Sequence, residues 1–382
     1  MDRMSALPLV ALIAVTVIIG SIAVAGDFGD KEPTLHAEVI EITHGNTLVL
    51  DIGIDDLEGL GAEIGDDILV KTKDDSFSVL LSPSSKYKGI PIYGGYITET
   101  SGKVVIGYTS CNHITLDYKV GDILTLSREG RNPIVDKMPN YLKGHSDDPD
   151  DYDNLTEFGN LREVSGGDLV PGSIYRSASP WNAGNRSPVA DDYYRELGVE
   201  FMICLNMDED ELAGYAERMP DAYASKLYGE GKVSCRLTHT AVHSYPDDIE
   251  FLIDSILDAD GKMGIFCTYG KDRTGFCCAV IEGLAGATYD EILEDFMVSM
   301  CNYYHIEKDS EEYHAISENY PQRVFYLYDH TELIEHPEDV DWNDVEFEKF
   351  DPEEVFTEYL VGYVGMDADK VEMVKEKLTG GI

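Results

Sequence analysis

A chain of 382 residues is longer than one small module, and its 43% hydrophobic and 10% aromatic residues exclude wholesale disorder. Its 29 Lys and Arg residues stand against 73 Asp and Glu residues, a net charge of -44. Such a charge argues against a nucleic-acid partner, because phosphate backbones are bound by clustered positive charge. The seven cysteines include no CxxC pair, so neither a zinc site nor a disulfide framework is indicated.

The first 26 residues predict a signal peptide or a transmembrane anchor. The run from Ala6 to Ala25 is apolar or small, interrupted by Pro8, Thr16 and Ser21. As a helix it would reach about 30 Å, roughly the thickness of a bilayer core. A cleaved signal peptide and a retained anchor both fit this pattern. Both predict export, with a membrane contact through this segment if it is not cleaved.

Residues 35–130 predict a small all-β domain, either a barrel or a sandwich. Segments 37–42 and 46–52 are rich in β-formers and bracket a turn at His44 and Gly45. Two similar pieces, 64–70 and 120–126, each read as a turn that leads into a buried strand. The polar and acidic residues that follow predict a linker over 131–154. We find no catalytic cluster in either region.

Strand and helix patterns alternate over residues 155–330. A strand is predicted at 199–205, an amphipathic helix at 247–257 and a short apolar strand at 263–266. Such alternation predicts an α/β domain with a mainly parallel sheet flanked by helices. The acidic residues 331–382 predict a C-terminal extension with two short helices, at 355–363 and 370–378, that caps this domain.

The chemistry is predicted at the end of the strand at 263–266. Five residues separate Cys267 from Arg273, and the apolar run 276–284 after them predicts a buried helix. This spacing lets the loop curl so that its N–H groups and the helix N-terminus face one phosphoryl group. The Arg273 guanidinium would hold two oxygens in a planar fork. These positive partial charges favour the thiolate form of Cys267, which makes it a nucleophile.

The loop supplies the candidate phosphate-binding residues. Gly270 permits the tight curl, and the Thr274 hydroxyl would donate a hydrogen bond to the leaving thiolate. The full set consists of the residues between the cysteine and the first turn of the helix: Thr268, Tyr269, Gly270, Lys271, Asp272, Arg273 and Thr274.

This segment resembles the signature of cysteine-dependent protein tyrosine phosphatases, His-Cys-x5-Arg followed by Thr or Ser. Its Gly-Lys-Asp-Arg-Thr-Gly ending is similar to that of the bacterial and archaeal secreted tyrosine and lipid phosphatases. The resemblance covers roughly residues 155–325, and residues 157–179 resemble the opening Asn-Phe-Arg-Asp stretch of that branch and its Gly-x-Leu-Tyr-Arg-Ser motif. It implies a phosphatase that acts on phosphotyrosine in proteins through a phosphocysteine intermediate, without metal or cofactor. A phosphoinositide or dual-specificity phosphatase is the alternative.

One position departs from the signature. Phe266 stands where the family has the histidine that orders the loop and favours the thiolate. The loop amides, the helix dipole and Arg273 would then have to stabilise the thiolate without it. A pseudophosphatase that binds phosphorylated ligands with little turnover is therefore a further alternative.

The proton donor for the leaving group has three candidate positions. Asp272, inside the loop, is the first, and the resemblance implies the same residue. Asp247 and Asp248 are the second, although both also suit the first turn of a helix. Asp208 and Asp210, which follow a predicted strand, are the third.

Four other polar residues receive supporting or structural roles. Arg176 is predicted to buttress the loop through an ion pair. Lys271 is predicted either to steer a phosphate or an inositol ring of the substrate, or to be a solvated loop charge. His239 and His243 are predicted to be structural, because single histidines on a strand-loop segment seldom carry chemistry.

Overall fold

The structure is a computed structural model that describes residues 33–43, 47–73, 76–82, 95–108, 118–335, 337, 340, 342 and 344–381. The predicted signal peptide or anchor at 1–26 and the predicted turn at His44 and Gly45 lie outside these residues. No helix among the described residues is both long and apolar enough to cross a membrane.

The first part of the described chain is a closed barrel of seven strands in the order β1-β2-β6-β5-β4-β3-β7. Of the two predicted all-β arrangements, the structure therefore has the barrel. β4 and β5 are parallel, and the other neighbouring strands are antiparallel, including the closing pair β1 and β7. The strands and the one helix are β1 Thr34–Ile42, β2 Leu48–Leu50, α1 Ile54–Glu58, β3 Asp66–Lys71, β4 Ser76–Leu81, β5 Gly95–Thr100, β6 Lys103–Tyr108 and β7 Ile123–Arg131.

Branched apolar side chains fill the barrel. Val39, Ile68, Val70, Ile97 and Leu124 are completely buried in one apolar cluster. They alternate along the strands with more exposed residues, as expected when one face of a strand faces a core. Closure pairs the outermost strands β1 and β7, so the sheet has no open edge there.

The second part is an α/β layer around a five-stranded sheet in the order β11-β10-β12-β9-β8. β9 to β12 are parallel, and β8 pairs with β9 in the antiparallel sense. The predicted α/β class is confirmed. The strands are β8 Arg162–Glu163, β9 Ile174–Ala178, β10 Phe201–Cys204, β11 Val233–Cys235 and β12 Met263–Cys267. Every residue of the central strand β12 is buried.

Helices surround this sheet. The most buried is α8, in which every residue from Thr274 to Leu284 is buried, as the apolar run predicts. The helices are α2 Pro139–Lys143, α3 Leu155–Phe158, α4 Arg186–Leu197, α5 Glu209–Arg218, α6 Tyr223–Gly229, α7 Pro246–Asp258, α8 Asp272–Leu284, α9 Tyr289–Tyr304, α10 Glu311–Asn319, α11 Pro321–Asp329, α12 Pro352–Glu358 and α13 Ala368–Thr379. A π-helical turn, Tyr359–Tyr363, follows α12.

The segment 131–154, predicted as an acidic linker, is bound to the α/β layer. The buried carboxylate of Glu312 on α10 accepts hydrogen bonds from the backbone N–H groups of Asn140 and Tyr141, at 2.7 and 2.8 Å. The Tyr141 ring lies 4.3 Å from the ring of Tyr304 on α9, measured between centroids. These contacts fix the middle of the segment close to the loop that follows β12, since Lys271 of that loop also donates to the Tyr304 hydroxyl.

The C-terminal helices pack against α8. Phe356 of α12 is completely buried, and its ring lies so close to Gly283 of α8 that a Cβ atom at that glycine would overlap it. Its ring also meets that of Tyr328 edge to face, with centroids 4.8 Å apart. The predicted C-terminal extension is therefore joined to the layer that carries the loop after β12.

We expect Phe356→Ala to lower the free energy of unfolding by about 3–5 kcal/mol, because it removes a large buried ring and leaves a cavity beside α8. Urea unfolding followed by circular dichroism measures this loss. Met373→Ala on α13 is the matched control, since Met373 is 50% exposed and should change stability by no more than about 0.5 kcal/mol. Equal losses in the two variants would contradict the packing role of Phe356.

Candidate active site

The loop between β12 and α8 turns tightly at Gly270. The Gly270 N–H donates to the Cys267 carbonyl at 3.3 Å, and the Gly275 N–H donates to the Lys271 carbonyl at 2.7 Å. Gly270 has φ +63°, in the left-handed region, and a Cβ atom there would overlap the Ser177 carbonyl of β9. Both the backbone conformation and the close contact require glycine at this position.

Two side chains reach the loop from behind and hold its carbonyl groups. Arg176 of β9 is completely buried, and its guanidinium donates to the Gly270 carbonyl at 2.9 Å. The Asn160 amide donates to the same carbonyl at 2.8 Å and to that of Tyr269 at 3.3 Å. Because C=O and N–H of one trans peptide unit point in opposite directions, these contacts turn the N–H groups of Gly270 and Lys271 the other way. The Gly270 N–H donates to the Cys267 carbonyl, so the Lys271 N–H is the one that these contacts direct toward a bound anion.

Cys267 and Arg273 lie at the carboxyl end of the sheet. Cys267 is the last residue of β12 and is 5% exposed. Arg273 is in the first turn of α8, half-buried, and donates to the carbonyls of Leu205 and Thr238 at 3.1 and 3.3 Å. These carbonyls follow β10 and β11, so Arg273 extends across the ends of the neighbouring strands. Ligands of open α/β sheets bind at this edge.

Behind the loop lies a buried cluster of charged groups. Asp295 of α9 accepts from Arg162 at 2.6 Å and also forms an ion pair with Arg176. Burial alone would raise the pKa of Asp295, but the two guanidinium groups outweigh it and hold that pKa below its ordinary value. Ser299 accepts hydrogen bonds from both arginines, at 2.7 and 3.1 Å. Arg176 is thus fixed on one side by Asp295 and Ser299 and on the other by the loop.

Glu282 of α8 lies in the same cluster, but its pKa is shifted in the opposite direction to that of Asp295. It is completely buried, and neither carboxylate oxygen has a hydrogen-bond partner among the described residues. Burial, assisted by the charge of Asp295, raises the pKa of Glu282 well above its ordinary value. Of the two buried carboxyl groups, Asp295 therefore favours the ionised form and Glu282 the protonated form.

Lys271 and Asp272 form an ion pair beside the loop. The Lys271 ammonium is 6% exposed and donates to Asp272 Oδ1 at 2.8 Å and to the Tyr304 hydroxyl at 3.3 Å. Burial alone would lower the pKa of Lys271, but Asp272 and Tyr304 raise it above its ordinary value. The Tyr320 hydroxyl also donates to Asp272 Oδ1, at 3.0 Å. The predicted alternative of a solvated loop charge at Lys271 is therefore wrong, because this ammonium is buried and paired.

The other predicted proton donors are bound elsewhere. Asp248 is 1% exposed, and both its oxygens accept hydrogen bonds from Arg236 and His239. Asp247 is exposed and lies 3.7 Å from Arg236. Asp208 caps the N-terminus of α5 by accepting from the Glu211 N–H at 2.9 Å. Asp210, in the first turn of the same helix, is exposed.

Two further residues of the loop region have defined surroundings. The Thr268 hydroxyl accepts from the Asn206 amide at 3.1 Å, and its carbonyl accepts from the Ser179 N–H at 3.1 Å. The Thr274 hydroxyl is buried and has no hydrogen-bond partner among the described residues.

Phe266, the departure from the phosphatase signature, is a core residue. Its ring is completely buried and lies 5.8 Å from Trp181 and 6.3 Å from Tyr194, measured between centroids. Cys267 belongs to a different apolar cluster, because successive residues of a strand point to opposite faces. Phenylalanine at this position therefore completes the packing of the opposite face of the sheet.

The sequence does not single out four residues that surround the loop and Arg176. It indicates no role for Asn160, Asp295 or Ser299, and it places Glu282 only within an apolar helix. Asn160 lies in the stretch that resembles the opening of the phosphatase family, and this resemblance is the one signal that could have singled it out. Asp295 and Ser299 lie more than 100 residues from Arg176, with no local pattern to connect them.

Comparisons with known proteins agree with this geometry. The profile described as "Tyrosine phosphatase family" matches residues 149–380, more than half of the chain. The chain therefore belongs to the tyrosine phosphatase family. The match includes the C-terminal helices α12 and α13 as well as the loop.

The chain was also compared with curated proteins and with solved structures. The search of curated proteins found no match. Among solved structures, the chain is similar to an uncharacterized conserved protein from Thermotoga maritima at 17% identity and a TM-score of 0.22. That similarity covers 25% of this chain and 36% of the Thermotoga protein, so the chain spans little more than a third of its length.

We expect Gly270→Ala to abolish vanadate binding and to lower kcat/KM for aryl phosphates by roughly a hundredfold or more, because it displaces a loop that must hold its N–H groups in place. Isothermal titration and steady-state kinetics measure the two effects. Gly229→Ala is the matched control, since a Cβ atom at the end of α6 meets nothing within 4 Å. A Gly270→Ala protein that still binds vanadate would contradict the assigned role of this glycine.

We expect Glu282→Gln to stabilise the protein increasingly as the pH rises. The folded state raises the pKa of Glu282, so the wild type loses stability above the unfolded pKa of about 4.3, by up to about 1.4 kcal/mol per pH unit, until the folded pKa is reached. Glutamine does not titrate and escapes this loss. Urea unfolding at several pH values between about 4 and 8 measures the difference between the variant and the wild type.

Glu291→Gln should show the opposite trend. Hydrogen bonds from Thr288 lower the pKa of Glu291, which gives a contribution to stability that is present above the unfolded pKa and is lost in acid. This variant is therefore expected to be less stable than the wild type at neutral pH and equal to it in acid. A pH-independent difference for Glu282→Gln would contradict the buried, protonated state of Glu282.

Proposed function

We propose that the chain hydrolyses phosphotyrosine in proteins through a phosphocysteine intermediate. The observation that carries this proposal is the loop whose carbonyls are held from behind by Arg176 and Asn160, next to Cys267 and Arg273. A fixed set of N–H donors at this position would stabilise the charge that develops on the phosphoryl oxygens. Such preorganisation is what a phosphoryl-transfer loop needs, because positioning and charge stabilisation supply most of its catalysis.

The proposed reaction has two steps. The Cys267 thiolate attacks phosphorus, the bond from phosphorus to the tyrosyl oxygen breaks, and the leaving oxygen takes a proton from a side-chain acid. Arg273 and the loop N–H groups hold the three remaining oxygens. Water then attacks the phosphocysteine, the S–P bond breaks, and inorganic phosphate leaves with Cys267 restored as thiolate. The buried Thr274 hydroxyl is the group proposed to donate to that thiolate.

Three observations favour phosphotyrosine over a phosphoinositide. Aromatic rings stand beside the loop: the Tyr269 ring lies 4.9 Å from Tyr303 and 5.1 Å from His145, measured between centroids. Rings suit an aryl group better than a hydroxylated inositol. The Lys271 ammonium is already bound to Asp272, which disfavours its use on a second phosphate of an inositol ring. The net charge of -44 also repels a polyanionic headgroup.

The burial of Phe266 favours an active enzyme over a pseudophosphatase. Its side chain packs between Trp181 and Tyr194, away from the cluster that contains Cys267. The loop is held in shape by Arg176 and Asn160, so the role of the usual histidine in ordering it is taken by other groups.

We expect a burst of about one equivalent of nitrophenol per protein from p-nitrophenyl phosphate, because the phosphocysteine accumulates when its hydrolysis is the slower step. Cys267→Ser should abolish the burst and lower kcat roughly a thousandfold or more. Rapid-quench kinetics measure the burst, and mass spectrometry after acid quench detects phosphate on Cys267. A phosphotyrosyl peptide should be hydrolysed faster than the matched phosphoserine peptide or phosphoinositide vesicles.

Cys301→Ser is the control for general effects of losing a thiol, since Cys301 lies on α9 and is partly buried. It should keep both the burst and kcat. An unchanged kcat in Cys267→Ser would overturn the mechanism. Preference for phosphoinositide vesicles would leave the mechanism standing and overturn the substrate.

A further inference from the structure

A cavity of about 310 Å³ lies where the start of α9, the end of α11 and the segment 344–350 meet. Five rings line it, those of Tyr289, Tyr326, His330, Phe347 and Phe350. α9 begins at Tyr289 and ends at Tyr304, whose hydroxyl binds Lys271 of the loop after β12. At a rise of 1.5 Å per residue the two ends of α9 are about 22 Å apart. The cavity is therefore separate from the candidate active site.

The rings of this cavity hold one another in place and lie in different planes. Phe350 meets Tyr289 edge to face, with centroids 5.0 Å apart and planes at 90°. Phe347 meets Tyr326 in the same way, at 6.3 Å and 87°. His330 stacks on the Tyr326 ring at 4.0 Å, and its Nδ1 donates to the Tyr326 carbonyl at 3.0 Å. The aromatic wall is therefore fixed, and it has rings in more than one orientation.

Three carboxylates share the cavity with these rings: Asp329, Glu346 and Glu348. In the described part of the chain, none of the three is paired with a lysine or an arginine, and Asp329 has only the His330 ring, 3.7 Å away. Lys349 lies in the same segment, but its ammonium binds Asp290 on α9 at 2.6 Å. The cavity therefore combines aromatic rings with negative charge that no cation of the described residues compensates.

The Tyr289 hydroxyl is an independent indication of a ligand. Tyr289 lines the cavity although it is only 7% exposed, and its hydroxyl has no hydrogen-bond partner among the described residues. Buried hydroxyl groups of tyrosine usually have such a partner. A polar group of a molecule in the cavity would supply one.

We propose that this cavity binds a quaternary ammonium group, as found in choline or in a trimethylated lysine side chain. The negative faces of aromatic rings attract a cation, and the three carboxylates add to that attraction. The rings favour a methylated ammonium over a primary one, because a primary ammonium is strongly hydrated and loses more when it leaves water. The inference does not depend on the proposed phosphatase reaction.

Isothermal titration of the full chain with choline chloride tests the proposal. The titration is made at about 0.15 M salt, which screens unspecific attraction of cations to a chain of net charge -44. We expect saturable binding of about one choline per chain, with a Kd of about 1 mM or lower. Unspecific attraction alone would give no saturation and would contradict the proposal.

Two variants separate the contributions of the rings and the carboxylates. Phe347→Leu keeps an apolar side chain but removes a ring, and it should raise the Kd for choline by about 2- to 30-fold, the range of one cation–π contact. Glu348→Gln removes one exposed charge and should raise the Kd by about two- to fivefold. Because Glu348 is exposed, this variant keeps the test valid even if Phe347→Leu unfolds. Glu318→Gln, at an exposed glutamate of α10, is the matched control and should leave the Kd unchanged.

Comparison of ligands identifies the group that is bound. The neutral analogue of choline, in which carbon replaces nitrogen, should not bind detectably. A peptide with trimethyllysine should bind more tightly than the same peptide with lysine, and its Kd relative to that of choline distinguishes a side-chain ligand from a free one.

The result is independent of the phosphatase reaction, because Cys267→Ser should bind choline like the wild type even where it has lost all hydrolysis. Equal binding of the neutral analogue, equal binding of the two peptides, or an unchanged Kd in both Phe347→Leu and Glu348→Gln would overturn the proposal.

Discussion

The bond between the Arg176 guanidinium and the Gly270 carbonyl is the contact on which the site depends. A loop of four residues between a strand and a helix has many possible shapes, and most of them leave its N–H groups pointing in different directions. A buried donor that holds one carbonyl from behind removes that freedom without occupying the side where an anion would bind. The anion binding assigned to the N–H side of the loop therefore depends on a hydrogen bond on its carbonyl side.

Because the Arg176 guanidinium is buried, its charge has to be compensated by groups on the surrounding helices. A buried guanidinium needs a counter-charge, and Asp295 supplies one while it also binds Arg162. A second ionised carboxylate at Glu282 would have no donor to meet it among the described residues, and burial raises its pKa, which favours its protonated form. The cluster is therefore balanced by the choice of protonation state as well as by pairing. Beside the cluster α9 packs closely against α8, since a Cβ atom at Gly275 would overlap the Phe296 ring.

Local sequence patterns predict the helices and strands around the site and the loop itself. The apolar run after Thr274 predicts the buried helix α8, and alternation of strands and helices predicts the α/β layer, because both depend on neighbours in the chain. The predicted strand at 263–266 is β12 to within one residue. The partners of Arg176 and the environment of Lys271 could not be predicted in this way. Apart from the ion pair of Lys271 with the adjacent Asp272, these contacts join residues more than 30 positions apart, and those of Arg176 with Asp295 and Ser299 span more than 100.

The aspartates show how that limit affects the choice of a proton donor. From sequence, Asp272 is attractive because it lies in the loop, and in the fold its Oδ1 also accepts hydrogen bonds from Lys271 and Tyr320. Asp248 instead binds Arg236 and His239 in its own segment. The parallel strands explain how distant parts of the chain meet at the site. β12 delivers Cys267, β10 and β11 are followed by the carbonyls that hold Arg273, and all three strands end at the same edge of the sheet.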